Sequence, residues 1–126
     1  QARLVEKIAW ALNDDRKPVK GSKVLVLGVA YKRDIDDMRE RPPLDVMRLL
    51  EERGAHVVYH DPHVPELPKL GMASITLDAE SLAAYDVAVV VTAHSGMDWE
   101  MVARESQLVV DLRNVVPEAD GKVWRL

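Results

Sequence analysis

Between Gly28 and Pro43 the chain interleaves four basic side chains (Lys32, Arg33, Arg39 and Arg41) with four acidic ones (Asp34, Asp36, Asp37 and Glu40). A lysine ammonium is a compact point charge suited to a phosphate or carboxylate, whereas an arginine can hold a phosphate in a two-pronged fork. Lys32 is therefore the leading candidate for an anion contact, with Arg39 beside it. Tyr31 offers a ring that can stack on a ligand and a hydroxyl that can bond to it. Each has a plainer alternative. Lys32 can be a surface lysine, Tyr31 a half-buried packing residue, and Arg39 can pair with Asp36, Asp37 or Glu40. Together, a long segment balanced in charge suggests a site for a phosphorylated small molecule.

Its position supports that reading. The segment follows the apolar run Val24-Leu25-Val26-Leu27, which reads as a buried strand, and precedes a helical pattern over residues 44–53. Strand-to-helix connections usually take about 2–6 residues, and longer ones tend to be functional. Open parallel sheets bind ligands beyond the carboxyl ends of their strands.

Other residues are weighed against known chemistries. Asp61, ending the second predicted strand, resembles the acid that binds a ribose in dinucleotide domains. That fingerprint requires three closely spaced glycines, so that backbone amides can approach a pyrophosphate. Here Gly28 stands alone before Val29, Ala30 and Tyr31. Asp61 is therefore expected to be structural, and any nicotinamide cofactor to be held mainly by another domain. A phosphoacceptor receiver domain would need paired acids after the first strand and a lysine after the fifth. The chain has Gly28-Val29-Ala30 and Arg113 there, and only Thr92 fits. Asp111 is expected to accept from loop amides, and Arg113 to be a further phosphate contact. For His94 and Ser95, a loop-shaping role is expected over a Ser–His catalytic pair, because no acid is placed beside them by sequence. The acidic group at residues 34–40 is interleaved with arginines and lacks the calcium-loop pattern, so no metal is expected.

The elements that would position these residues follow from periodicity and caps. Leu4, Val5, Ile8, Ala9 and Leu12 recur at helical spacing. No cap precedes them, so Gln1 is expected to lie within a longer helix. Residues 13–21 read as a solvated polar connection. Strands are expected over 23–27, 57–59, near 74–77, and over 87–91, 107–112 and 122–126. Helices are expected over 44–53, from Asp78 through Tyr85, and over 99–105 behind Asp98. Arg53 and Gly54 would supply a cationic last turn and a left-handed cap. This alternation predicts an α/β fold: a three-layer α/β/α sandwich on a mostly parallel, Rossmann-like sheet of about 5–6 strands. Right-handed crossovers would bring the ends of the first, fourth and fifth strands to one edge.

Composition narrows the classes. The 126 residues, 48% hydrophobic and 30% charged, suit one ordinary globular core. A net charge of -4 without a large basic cluster argues against nucleic-acid binding. No apolar run approaches the roughly 18 residues of a membrane span, and no secretory signal is visible. No membrane partner is expected, and the expected location is cytoplasmic. The absence of cysteine excludes disulfides, thiolate metal sites and a cysteine nucleophile within this chain.

Five separated motifs then line up. Gly28-Val29-Ala30-Tyr31-Lys32 running into Asp36-Asp37-Met38-Arg39-Glu40, then Gly54-Ala55, Asp61-Pro62, Val91-Thr92-Ala93-His94-Ser95 and Val110-Asp111-Leu112-Arg113-Asn114 resemble, in order, the C-terminal domain of the UDP-glucose/GDP-mannose dehydrogenase family. The Ala-Tyr-Lys form is similar to the branch acting on UDP-N-acetylhexosamines. The family takes the C6 hydroxyl of a nucleotide sugar to a carboxylate in two NAD-dependent oxidations. Its N-terminal domain binds NAD and carries the catalytic cysteine, and a central helix joins that domain to the C-terminal one. The resemblance thus implies that residues 1–20 are the end of the interdomain helix and a linker, and residues 21–126 the nucleotide-sugar (UDP)-binding domain. It implies that Tyr31, Lys32 and Arg113 face the nucleotide sugar and that Arg39 reaches NAD. No catalytic residue falls on this chain. It further implies an N-terminal NAD-binding domain as partner and a homodimer for the full-length protein. Arg41 departs from the serine usual in the family, adding charge and bulk beside the expected cleft. Two readings stand. One is the substrate-binding portion of an oxidoreductase that forms a UDP-uronate, inactive alone, which the uncapped opening helix favours. The other is a stand-alone, non-catalytic nucleotide-sugar-binding or regulatory module.

Overall fold

Alternation along the strands sends side chains to two opposite faces, and both faces of this sheet are apolar. The computed structural model describes residues 2–30 and 43–125. In β1 (Lys23–Leu27), Val24 and Val26 pack into one core, whereas Leu25 and Leu27 pack into a second core on the other side. β5 (Val87–Val90) repeats the division, with Val87 and Val89 in the first core and Ala88 and Val90 in the second. Strands buried on both faces must lie inside the sheet and be covered by helices above and below. β2 (His56–His60), β6 (Val109–Asp111) and β7 (Val123–Arg125) complete the sheet, in the order β2-β1-β5-β6-β7. Every pairing in it is parallel. The expected three-layer α/β/α sandwich is thus observed, with five strands.

The first core is closed by α1 (Ala2–Asp14) and α2 (Pro43–Glu52). α1 inserts Val5, Ile8, Ala11 and Leu12, and α2 inserts Val46, Met47 and Leu50. The second core is closed by α3 (Ala79–Ala84) through Leu82, and by α4 (Trp99–Glu105) through Val102 and Ala103. Local chemistry starts these short helices where expected. The Asp78 carboxylate accepts from the Ser81 amide at 2.8 Å, and the Ser81 hydroxyl bonds back toward Asp78, a reciprocal box that satisfies two otherwise orphaned amides. Asp98 accepts from the Met101 amide at 3.0 Å.

Two expectations are corrected. Arg53 lies one residue beyond α2, and instead of closing its last turn it pairs with Glu6 of α1. Gly54 does cap the helix, at φ 93°, with its amide on the Glu51 carbonyl. No strand forms over residues 74–77; a small antiparallel pair, β3 (Glu66–Leu67) with β4 (Met72–Ala73), precedes them across a 3-10 turn, Pro68–Leu70. Residues 74–77 instead run beside the β2 edge on isolated bonds, Ile75 N–H to the Tyr59 carbonyl and His60 Nδ1 to the Ile75 carbonyl, too few for a ladder. The polar stretch 13–21 is a largely exposed connection, as expected; its first two residues end α1, and Lys17 ties it to Asp86 and Gln107. Among the described residues no helix is long and apolar enough to cross a membrane.

Candidate functional site

The chain leaves β1 to form β2 on one side and returns to form β5 on the other. Connections that diverge from a strand in this way open a crevice at its carboxyl end, where α/β sheets bind ligands. The carboxyl edge of this sheet gathers Gly28–Ala30 after β1, Asp61–His63 after β2, Thr92–His94 after β5, and Arg113 after β6.

Gly28 sits at the switch point with φ 88°. A Cβ there would lie 2.4 Å from the Thr92 carbonyl oxygen and 2.5 Å from Thr92 Cβ, so only glycine lets the two loops approach this closely. Gly28, single where a dinucleotide fingerprint has three glycines, is therefore a point of loop-to-loop contact. The Gly28 amide donates to the His60 carbonyl, and the Thr92 hydroxyl donates to the Ala30 carbonyl at 3.1 Å.

Asp61 is 1% exposed and organises this edge. Its Oδ2 accepts from the amides of Val29 and Ala30, each at 2.8 Å, and from His94 Nε2 at 2.9 Å. Its Oδ1 accepts from the His63 amide at 2.8 Å. Burial pushes this carboxyl up, but the hydrogen bonds from His94 and from the His63, Val29 and Ala30 amides outweigh it and hold the group at about 2. Asp61 is therefore ionised at neutral pH and acts only as an acceptor, so the proton in the His94 bond resides on Nε2. The His63 ring stands edge-on to His94, with centroids 4.6 Å apart. Asp61 has the structural role expected of it. Its bond to His94 is a pairing that sequence reasoning missed, because the two residues are 33 positions apart and leave strands that flank β1 without touching each other. The only available signal was that both follow strand ends on one edge.

Asp111 organises the neighbouring strand end in the same way. Its oxygens accept from the amides of Arg113, Asn114, Val115 and Val116 at 2.7–3.0 Å and from an Arg125 guanidinium nitrogen at 2.9 Å. This fulfils the expectation of an acceptor for loop amides, and it allows the left-handed turn at Asn114. Arg113 is thereby presented at the carboxyl edge, where its Nε donates to the Val91 carbonyl at 2.8 Å. The guanidinium reaches across to the end of β5, toward the switch point. Tyr31, Lys32, Arg39 and Arg41 lie outside the described residues. Among the described residues, no group of three or more His, Asp or Glu side chains is placed to hold a metal ion.

The profile of the UDP-glucose/GDP-mannose dehydrogenase family, UDP binding domain, matches residues 25–118. The UDP-glucose 6-dehydrogenase of Rhizobium meliloti (strain 1021) is 31% identical over 134 residues, covering 90% of this chain and 30% of that protein. The UDP-N-acetyl-D-mannosamine dehydrogenase of Campylobacter jejuni is 32% identical over 113 residues, covering 85% of this chain and 26% of that protein. The solved structure of NDP-N-acetyl-D-galactosaminuronic acid dehydrogenase from Methanosarcina mazei Go1 aligns with a TM-score of 0.70 at 30% identity, over 92% of this chain and 26% of that one. The chain spans less than a third of the length of these relatives.

Proposed function

The chain belongs to the UDP-glucose/GDP-mannose dehydrogenase family, as its UDP binding domain, and from that premise we propose that it is the substrate-binding portion of an NAD-dependent nucleotide-sugar 6-dehydrogenase. In this reading residues 21–126 hold a UDP-sugar, and residues 1–20 are the end of a helix and linker leading from an NAD-binding domain. The whole protein oxidises the C6 hydroxyl of the sugar to a carboxylate, as a homodimer. The chain alone is inactive.

One observation carries the reading. The sheet edge where α/β folds bind ligands is built with an arginine, Arg113, reaching toward the switch point, yet it has no glycine fingerprint for a dinucleotide of its own. Such an edge suits the pyrophosphate of a nucleotide sugar better than a whole dinucleotide. Tyr31 and Lys32 follow directly on the Gly28–Ala30 segment in the chain, so they enter the proposal as the contacts from β1, with Arg113 as the contact from β6. Arg39 is assigned to NAD, whose nicotinamide would accept the hydride. The residues of this chain bind and orient the substrate.

The test is an assay of the full-length protein against a panel of UDP- and GDP-sugars with NAD, following NADH formation. Turnover confined to UDP-sugars is expected. NADH formation with GDP-sugars only would overturn the substrate assignment. Binding of UDP-sugars without NADH formation would favour the stand-alone module.

A further inference from the structure

We infer that His94 is a positioning residue for the nucleotide site: through Asp61 it sets the course of Gly28–Ala30 as the chain leaves β1, the segment to which the proposed contacts are joined in sequence. The inference rests on the nucleotide-sugar reading proposed above. The exit segment is held by its neighbouring loops at four backbone groups. Gly28 N–H bonds to the β2 end, Val29 and Ala30 N–H bond to Asp61, and the Ala30 carbonyl accepts from Thr92. Asp61 directs these two amides while it is itself held, on Oδ1 by the His63 amide and on Oδ2 by His94, the one side chain among the described residues that bonds to its carboxylate. Without that donor the buried carboxylate keeps its three amide bonds but loses one charge-assisted bond and the side chain that braces it from the β5 side, so its hold on the two exit amides loosens.

The bridge also has reach. Asp61 and His63 follow β2, while Thr92 and His94 follow β5, so the Asp61–His94 bond spans the β1 exit from both sides. The same β5 end carries the Val91 carbonyl that accepts from Arg113. His94 thus lies in the loop that connects the β1 exit to Arg113. Its side chain is only 15% exposed, and it acts through Asp61 rather than by contact with the reacting atoms.

The experiment compares the parent chain with His94→Ala and His94→Gln. The glutamine amide keeps an N–H donor at similar reach. Two quantities are read: amide hydrogen exchange at Val29 and Ala30 relative to Val24 and Val26 within β1, and UDP affinity by calorimetry. H94A is expected to speed exchange at the two exit amides about tenfold while leaving the β1 interior unchanged, and to weaken UDP binding about tenfold. H94Q is expected to return both to within about threefold of the parent. Rescue of both quantities by one retained donor separates positioning from mere packing. Parent-like exchange and affinity in H94A would overturn the inference. So would an H94Q variant as defective as H94A despite parent-like thermal stability. If the parent itself binds no UDP, that counts against the nucleotide reading, and the exchange arm still decides whether His94 positions the segment.

Discussion

At Gly28, two independent penalties meet any side chain: a backbone at φ 88° and a Thr92 carbonyl 2.4 Å from where Cβ would stand. Gly28→Ala is expected to cost about 2–4 kcal/mol, the sum of left-handed strain and a backbone-to-backbone clash that no rotamer relieves. Urea unfolding checks this, and a loss under about 1 kcal/mol would mean that the loops separate easily. Asp61 makes a different prediction. Its folded pKa of about 2 lies below its ordinary value of 3.8. The stabilisation is therefore fully present above about pH 4 and is lost as pH falls through about 2. The loss is on the order of 2 kcal/mol. Asp86, also held low because bonds from Lys23 and Lys17 outweigh its burial, contributes in the same direction. Asp61→Asn should flatten the acid limb of a stability profile, leaving the Asp86 share; an unchanged limb would contradict the bonding described for Asp61. These residues differ in how far they could be read from sequence. The amides that Asp111 gathers lie within five positions of it, so its role is a local pattern. The partner of Asp61 lies across a strand, and only the folded sheet brings it near.

Among the elements, α1 tests whether the opening helix belongs to this fold or merely leads into it. Val5, Ile8, Ala11 and Leu12 are buried in the same core as Val24 and Val26 of β1, and Glu6 reaches Arg53 beyond α2. Ile8→Ala removes a fully buried side chain and is expected to cost about 2–5 kcal/mol in thermal or urea unfolding. A loss below about 1 kcal/mol would mean that α1 detaches without disturbing the sheet. The helices were legible because their signals are short-range: an N-cap acts over three residues, as Asp78 and Asp98 show. β1 and β5 were legible from apolar runs that only a two-sided burial explains. Residues 74–77 were not. Their outcome was decided by the edge of β2 and by the β3–β4 pair, which absorbed the two residues before them.

At the scale of the whole molecule, the strand order decides what the chain can do. The expected gathering of the first, fourth and fifth predicted strands at one edge appears as β1, β5 and β6 side by side. Under the proposed reading this chain, which spans less than a third of its relatives' length, presents one wall of a cleft whose other wall comes from an NAD-binding domain. On the proposed assignment, the contacts on this wall divide by ligand, and steady-state kinetics of the full-length protein can separate them. Lys32→Ala and Arg113→Ala each remove a charge-assisted bond to the nucleotide sugar and are expected to lower kcat/KM for it about 10–100-fold. The NAD concentration needed for half-maximal rate should hardly change. Arg39→Ala should do the reverse, raising the NAD requirement while leaving the sugar-nucleotide KM near the parent value. Lys32 or Arg113 variants with parent-like kinetics would remove those residues from the site. An Arg39 variant impaired only toward the nucleotide sugar would place all the contacts with one ligand, and this wall of the cleft would then serve the substrate alone.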